Sequence, residues 1–230
     1  MLGAAPLYKN DGVQRYVNRV GRWVAAHSER ADLPWTFGVI ETKTVNAFAM
    51  PGGTVLVSRG LLDQLASESE LAGALAHEIA HVVRRHQLAA IQSSTNSEVW
   101  SSIGKDVAGE AIARRGGDTF GLKSKAAGLG IDAVKNGAFL RPLDRSMEYE
   151  ADRLGVILAT RAGYDPYGLP GVLQVLGTLK GDGSGVDIMA THPAPSDRLS
   201  ELEKVMPAVE GYANQPRLEG RFRQVVGSAK

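Results

Sequence analysis

Apolar side chains recur at helical spacing along residues 12–28, where Val13, Tyr16, Val17, Val20 and Val24 share one stripe between polar positions. Asp11 stands in front of this stripe as an N-cap. The pattern then shortens. Trp35-Thr36-Phe37-Gly38-Val39-Ile40 is β-branched and aromatic and predicts a strand. Val45 to Met50 predicts a second, weaker strand, Pro51-Gly52-Gly53 a turn, and Thr54 to Ser58 a third strand. These segments form one small sheet near the N-terminus.

Beyond residue 58 the pattern is mostly helical. Ser67-Glu68-Ser69-Glu70 has the form of a capping box, in which the Ser67 hydroxyl and the Glu70 carboxylate satisfy end amides reciprocally. The helix it opens carries Leu71, Leu75, Ile79 and Val82 and runs to about Ala90. Thr95-Asn96-Ser97-Glu98 offers a second such box. Residues 101–140 are rich in Gly and Ala and predict loosely jointed helices, part of which could cover a cleft. Asp144 caps a helix ending near Gly163, while Asp165-Pro166 and Pro195-Ser196 open further helices. Pro207 closes the last good helix, and Phe222 to Val226 has a strand-like pattern. No repeat and no long linker divides the chain. The expectation is a single domain over residues 1–230, of α+β class, mainly helical with a small β-sheet near the N-terminus.

Composition narrows the chemistry more than the fold. The chain of 230 residues is long enough for one core, and 43% apolar with 22% charged residues is ordinary for a globular protein. A formal charge of +1, with Lys and Arg scattered, gives no field for a polyanion, so nucleic acid is not an expected partner. There are no cysteines, which removes disulfides, thiol catalysis and thiolate-bound zinc and leaves His and carboxylates as metal donors. No apolar run reaches the ~20 residues of a spanning helix. Met1 to Pro6 lacks the basic-then-apolar pattern of a signal peptide. The expectation is a cytosolic protein, or one already relieved of its export signal.

His77-Glu78-Ile79-Ala80-His81 has the form H-E-x-x-H inside the capped helix. Residues i and i+4 lie about 40° apart on a helix, so both imidazoles point the same way and can chelate one ion. Glu78 lies roughly 100° round the helix, where it does not share the ion but reaches a water beside it and can take that water's proton. Two His donors do not complete a zinc site. His86, nine residues after His77, extrapolates to the opposite face, and Arg84-Arg85-His86 holds no Gly to break the helix. It is expected at the surface or in packing. Glu148-Tyr149-Glu150-Ala151-Asp152 offers more: Glu148 and Asp152 share a helix face. Glu148 is expected to complete the site, and Asp152 to accept the free N–H of a metal-bound His and fix its tautomer. Glu150 is expected to point elsewhere, at the surface.

Together these residues resemble the HtpX-like and CAAX prenyl protease type of zinc metallopeptidase, a gluzincin family, and within it the soluble bacterial branch typified by BepA and LoiP. The resemblance spans roughly residues 35–200 in four blocks. They are Asn46 to Gly53 with Val57 to Leu62, the H-E-x-x-H helix, Glu148 to Asp152, and Thr191-His192-Pro193 with Arg198 six residues beyond His192. H-E-x-x-H alone is moderately specific; four blocks in this order are highly specific. The resemblance implies a zincin-like metallopeptidase fold and a zinc endopeptidase, with one Zn2+ per chain, acting on polypeptide substrates in envelope protein quality control. It implies that an edge strand at Asn46, Ala47 and Phe48 binds extended peptide and that His192 lies beside the zinc. Arg198 could steady the loop or a substrate carbonyl. His192 could fill the open zinc position or donate to the oxyanion formed during attack; the catalytic donor role is the expectation. The implied location is the periplasm or cell envelope. Membrane-embedded members carry spanning helices and soluble ones commonly a lipid-bearing N-terminal Cys; neither is present, so membrane association would run through a region absent from this chain. The rival reading is a zinc-bound, chaperone-like binder of misfolded proteins with little cleavage. A structural zinc protein would need no base, and Glu78 argues against it.

Overall fold

The computed structural model describes residues 5–93, 143–179 and 192–227. The Thr95–Glu98 capping box, the expected loosely jointed helices of residues 101–140 and Thr191 lie outside the described residues.

Helix α1 (Asp11–Ala25) buries Val13, Val17, Val20 and Val24 of the predicted stripe and leaves Tyr16 partly buried. Its N-cap is Asn10 rather than Asp11: the Asn10 side chain accepts from Val13 N at 3.1 Å. Asp11 instead occupies the first turn, where its charge faces the positive end of the helix.

Strands β1 (Thr36–Ile40), β2 (Ala47–Met50) and β3 (Thr54–Ser58) form one sheet in the order β1-β3-β2. The central β3 pairs parallel with β1 and antiparallel with β2. Gly52 and Gly53 turn the β2–β3 hairpin with φ of 94° and 98°, a conformation that side chains with a Cβ rarely adopt. The outer edge of β1 is sealed by α1. Gln14 donates Nε2 to Val39 O and accepts from Val39 N, both at 2.8 Å, and Asn18 Oδ1 accepts from Phe37 N at 3.0 Å. The other edge belongs to β2.

A short helix α2 (Arg59–Gln64), not anticipated, follows β3 directly. Ser58 caps it by accepting from Leu61 N at 2.9 Å. Helix α3 (Glu68–Arg84) then runs through the middle of the molecule. Ser67 Oγ accepts from Glu70 N at 3.2 Å as the capping box requires, but Glu70 reaches back to Ala66 N rather than to Ser67. Every residue from Glu68 to Val82 is buried, because α1, β2, α5 (Arg145–Arg161) and α6 (Gly168–Thr178) surround α3. A helix covered on all sides cannot be recognised by a single apolar stripe. Glu68 ties its start to distant segments, accepting from Tyr16 OH at 2.6 Å, from Tyr164 OH at 2.8 Å and from the Arg221 guanidinium.

The predicted continuation of α3 to Ala90 is interrupted. Arg85 adopts the left-handed conformation, φ 59° and ψ 33°, and closes α3 by donating to the His81 and Val82 carbonyls. A separate helix α4 (His86–Ser93) starts at the next residue. The break needed no glycine, so neither composition nor periodicity marks it.

Asp144 caps α5 as expected, accepting from Ser146 N at 2.9 Å. α6 starts two residues past Pro166, after Asp165 Oδ1 has taken Tyr167 N at 2.9 Å. α7 (Pro195–Glu203) starts at its proline. The tail expected as a strand is a helix, α8 (Glu219–Val226), whose buried Phe222 and Val226 stand one turn apart. That i, i+4 pair is the helical reading of the same five residues.

The approach of α5 to α3 sets the site. A Cβ added at Gly155 would lie 3.1 Å from His77 N and 3.2 Å from its Cα. A mid-helix glycine costs roughly 0.5–1 kcal/mol against alanine, so its presence here reflects the close crossing. Gly155→Val should lower stability by about 1–3 kcal/mol through overpacking. Gly220→Ala, where an added Cβ meets nothing within 4 Å, should be neutral or gain up to about 1 kcal/mol. Urea denaturation midpoints measure both, and equal losses would refute the packing account.

Candidate metal centre

His77 and His81 stand one turn apart on α3, with Nε2 atoms 3.0 Å from each other. The α3–α5 crossing brings Glu148 against both: Oε2 lies 3.5 Å from His77 Nε2 and Oε1 lies 3.5 Å from His81 Nε2. His192, just ahead of α7, places Nε2 3.8 Å from Glu148 Oε2 and 4.0 Å from Glu78 Oε1. These four side chains offer ligand atoms that all lie within 4.8 Å of one another, and His192 alone is only partly buried.

Electrostatics makes this a pocket for a cation. Both Glu148 oxygens are buried and accept no hydrogen bond among the described residues. Burial opposes ionisation of Glu148, but His192 and His77 outweigh it and hold the carboxyl below its ordinary range. At His77 burial and Arg198 oppose a proton, yet Asp152 and Glu148 prevail and push the ring up to about 9. Groups that draw a proton to this point draw a metal cation as well. Burial, with His77 and His192, keeps His81 well below the ordinary histidine range, so its ring is neutral and has a lone pair to offer. A buried carboxylate without donors is costly by several kcal/mol unless a cation faces it, and a His-His-Glu donor set fits a metal ion.

Glu78 is buried beside this group. Burial pushes it up, against the pull of His77, to about 7, where a carboxyl exchanges protons near neutral pH.

Asp152 stands behind His77, Oδ1 to Nδ1 at 2.9 Å. Arg198 is buried and forks onto the same carboxylate, Nε to Oδ2 at 2.8 Å and Nη2 to Oδ1 at 2.6 Å. Burial opposes ionisation of Asp152, but Arg198 holds its carboxyl well below the usual carboxylate range. Arg198 was expected at the loop or at a substrate carbonyl; its guanidinium is instead engaged by Asp152. Arg198 Nη2 also lies 3.1 Å from His77 Nδ1, a contact between two donors that share one carboxylate.

Two residues set aside from the sequence belong to the site's surroundings. His86 is buried, its Nδ1 2.9 Å from His81 Nδ1, and Glu150 lies 3.3 Å from His86 Nε2. Helical extrapolation sent His86 to the far face, and it fails because Arg85 turns the chain. Just ahead of β2, Asn46 is buried, its Oδ1 accepts from Ala47 N at 2.8 Å, and its Nδ2 finds no acceptor among the described residues. Ala47 and Phe48 follow on β2, the strand packed against α3.

The chain is 29% identical to the Beta-barrel assembly-enhancing protease of Escherichia coli (strain K12) over 200 residues, 86% of this chain and 40% of that protein. It is 31% identical to the protein of the same name from Yersinia pestis over 205 residues, 87% of this chain and 40% of that protein. The Mitochondrial metalloendopeptidase OMA1 of Schizosaccharomyces pombe is 31% identical over 199 residues, 85% of this chain and 53% of that protein. The chain thus spans about 40% of the length of the bacterial relatives. The sequence model of peptidase family M48 matches residues 11–206, from the start of α1 to just past α7, so the chain belongs to that family, with the metal cofactor the family implies.

Proposed function

We propose that residues 1–230 form a single catalytic domain of a zinc endopeptidase that cuts protein substrates in bacterial envelope quality control. The observation that carries this reading is the Glu148 carboxylate, buried without a hydrogen bond against two imidazole nitrogens. His77, His81 and Glu148 would hold one zinc ion. Ligands about 2.0–2.1 Å from a tetrahedral zinc stand roughly 3.3 Å apart, close to the 3.0 and 3.5 Å separations here. When bound, zinc supplies Lewis acidity, which acidifies water and polarises a scissile carbonyl. Glu78 takes a proton from the attacking water on its carboxylate and returns it to the leaving amine. Asp152 holds His77 in the tautomer whose Nε2 is free to ligate.

Substrate binds along β2. Ser58 N donates to Asn46 O, so the antiparallel alternation turns the backbone groups of Ala47 and Ala49 outward. An extended peptide adds there as a further strand, beside Asn46, Ala47 and Phe48. The envelope location rests on the bacterial relatives, whose name concerns β-barrel assembly. No helix among the described residues is long and apolar enough to cross a membrane. The chaperone-like alternative is not favoured, since it leaves the buried base Glu78 without a task.

Glu78→Gln should keep about one zinc per chain and lose peptidase activity, by on the order of 10²–10⁴. His77→Ala and His81→Ala should lose both. Metal content by plasma emission and mass spectrometry of casein fragments read the two properties; normal cleavage by Glu78→Gln would remove the base assignment.

Glu148→Ala should sharply weaken zinc binding, and Asp152→Ala should weaken zinc affinity or activity on the order of 10–100-fold. Competition with a chelator measures this, and wild-type affinity in Glu148→Ala would exclude it as a ligand.

His192 stands among the candidate ligand atoms, which favours the blocking role over the oxyanion role. His192→Ala should therefore raise basal cleavage of an unfolded substrate. A fall on the order of 10²–10³ would instead mark an oxyanion donor.

A further inference from the structure

His81 is backed by a second histidine. Its Nδ1 lies 2.9 Å from His86 Nδ1, with both rings buried. Beyond it, His86 Nε2 lies 3.3 Å from Glu150 Oε2, and Arg84 Nε holds Glu150 Oε1 at 3.0 Å. Two imidazole nitrogens at this distance share one hydrogen: one donates and the other accepts. The direction follows from the proposed ligand role of His81, on which this inference rests. If Nε2 faces the metal, it carries no hydrogen, and the neutral ring has its hydrogen on Nδ1. His86 Nδ1 must then be the acceptor. That leaves the hydrogen of His86 on Nε2, where Glu150 receives it. This arrangement satisfies every contact in the row; the opposite tautomer of His86 sets two hydrogens against each other at Nδ1 and leaves Nε2 with a lone pair against a carboxylate.

We propose that His86 is a positioning residue of the metal centre: it accepts the His81 Nδ1 hydrogen, and Glu150, steadied by Arg84, keeps His86 in the accepting tautomer. The row does for His81 what Asp152 and Arg198 do for His77. The left-handed Arg85 is what makes it possible. Continued as a helix, the chain would carry residue 86 to the far side of α3; turned at Arg85, it brings the ring back under His81. Glu150 is half exposed, and an exposed ion pair with Arg84 contributes little to stability, so Glu150→Ala leaves the fold in place while removing the end of the row.

The direct test is long-range 1H–15N NMR of the histidine rings in zinc-loaded Glu78→Gln protein. The expected spectrum has His81 protonated on Nδ1 and His86 protonated on Nε2 with a bare Nδ1. A His86 protonated on Nδ1, alone or together with Nε2, overturns the proposal without any change to residue 86. Chelator competition gives a second reading. His86→Leu should lose on the order of 10–100-fold in zinc affinity, as for other groups that orient a ligand. His86→Asn should recover most of it, because its Oδ1 accepts where Nδ1 did. Glu150→Ala should lose affinity severalfold at an unchanged melting temperature. Unchanged zinc affinity in His86→Leu overturns the proposal. Zinc retained by His81→Ala would instead overturn the ligand assignment itself, and this inference with it.

Discussion

The Glu148 carboxylate lies out of water, without a hydrogen-bond donor, 3.5 Å from imidazole nitrogens on another helix. Removing an ion from water is expensive, and attraction in a low dielectric repays it only when the opposing charge is well placed. Much of the architecture can be understood as meeting that condition. Gly155 lets α5 approach α3 closely enough for the carboxylate to arrive, two turns along, at the level of the two histidines. The burial of α3 from Glu68 to Val82 prevents it from retreating. The Glu68 cluster anchors the start of α3, the helix that carries His77 and His81, to α1, to the segment after α5 and to α8.

Much of this was legible in the residues, and the illegible part has a common cause. Stripes, turns and caps are local, and they located α1, the three strands, α5 and α7 well. H-E-x-x-H is also local, and Glu148 and Asp152 could be found because a missing ligand had to come from a carboxylate pair on one helix face. What failed depended on a backbone choice or a distant pairing that no local pattern declares. Arg85 is left-handed without being Gly or Asn, so the expectation that His86 faces away, at the surface or in packing, misses its contact with His81. Arg198 was assigned to the substrate because its partner Asp152 lies 46 residues away, a pairing that no spacing rule reaches. The tail was taken for a strand because five residues are too few to separate a period of two from one of 3.6.

The two histidines proposed as metal ligands are supported differently, and the difference is physical. His77 Nδ1 meets an ionised carboxylate directly, with an arginine behind it. A charged acceptor makes the stronger hydrogen bond and raises the basicity of the ring it serves. His81 Nδ1 meets another imidazole, and the carboxylate of Glu150 stands one ring further out, partly in solvent. The first arrangement concentrates negative charge under one ligand, close to Glu148. A second carboxylate at that range under His81 would add to the charge already crowded into a buried space. A neutral ring as intermediary orients His81 without that repulsion.

The two edges of the sheet are finished differently. Three strands have two outer edges, and each is a row of backbone donors and acceptors open to another chain. On β1 that row is occupied by the amides of Gln14 and Asn18, which copy the hydrogen bonds of a neighbouring strand from a helix. The bridge of Leu7 to Ile40 covers its end. The proposed strand addition then falls to β2, the strand packed against α3. β2 carries a smaller contact of this kind: the buried Asn46 accepts from Ala47 N through Oδ1 at 2.8 Å. A peptide lying along β2, as proposed, would run along the strand that packs on α3, the helix that bears His77, Glu78 and His81.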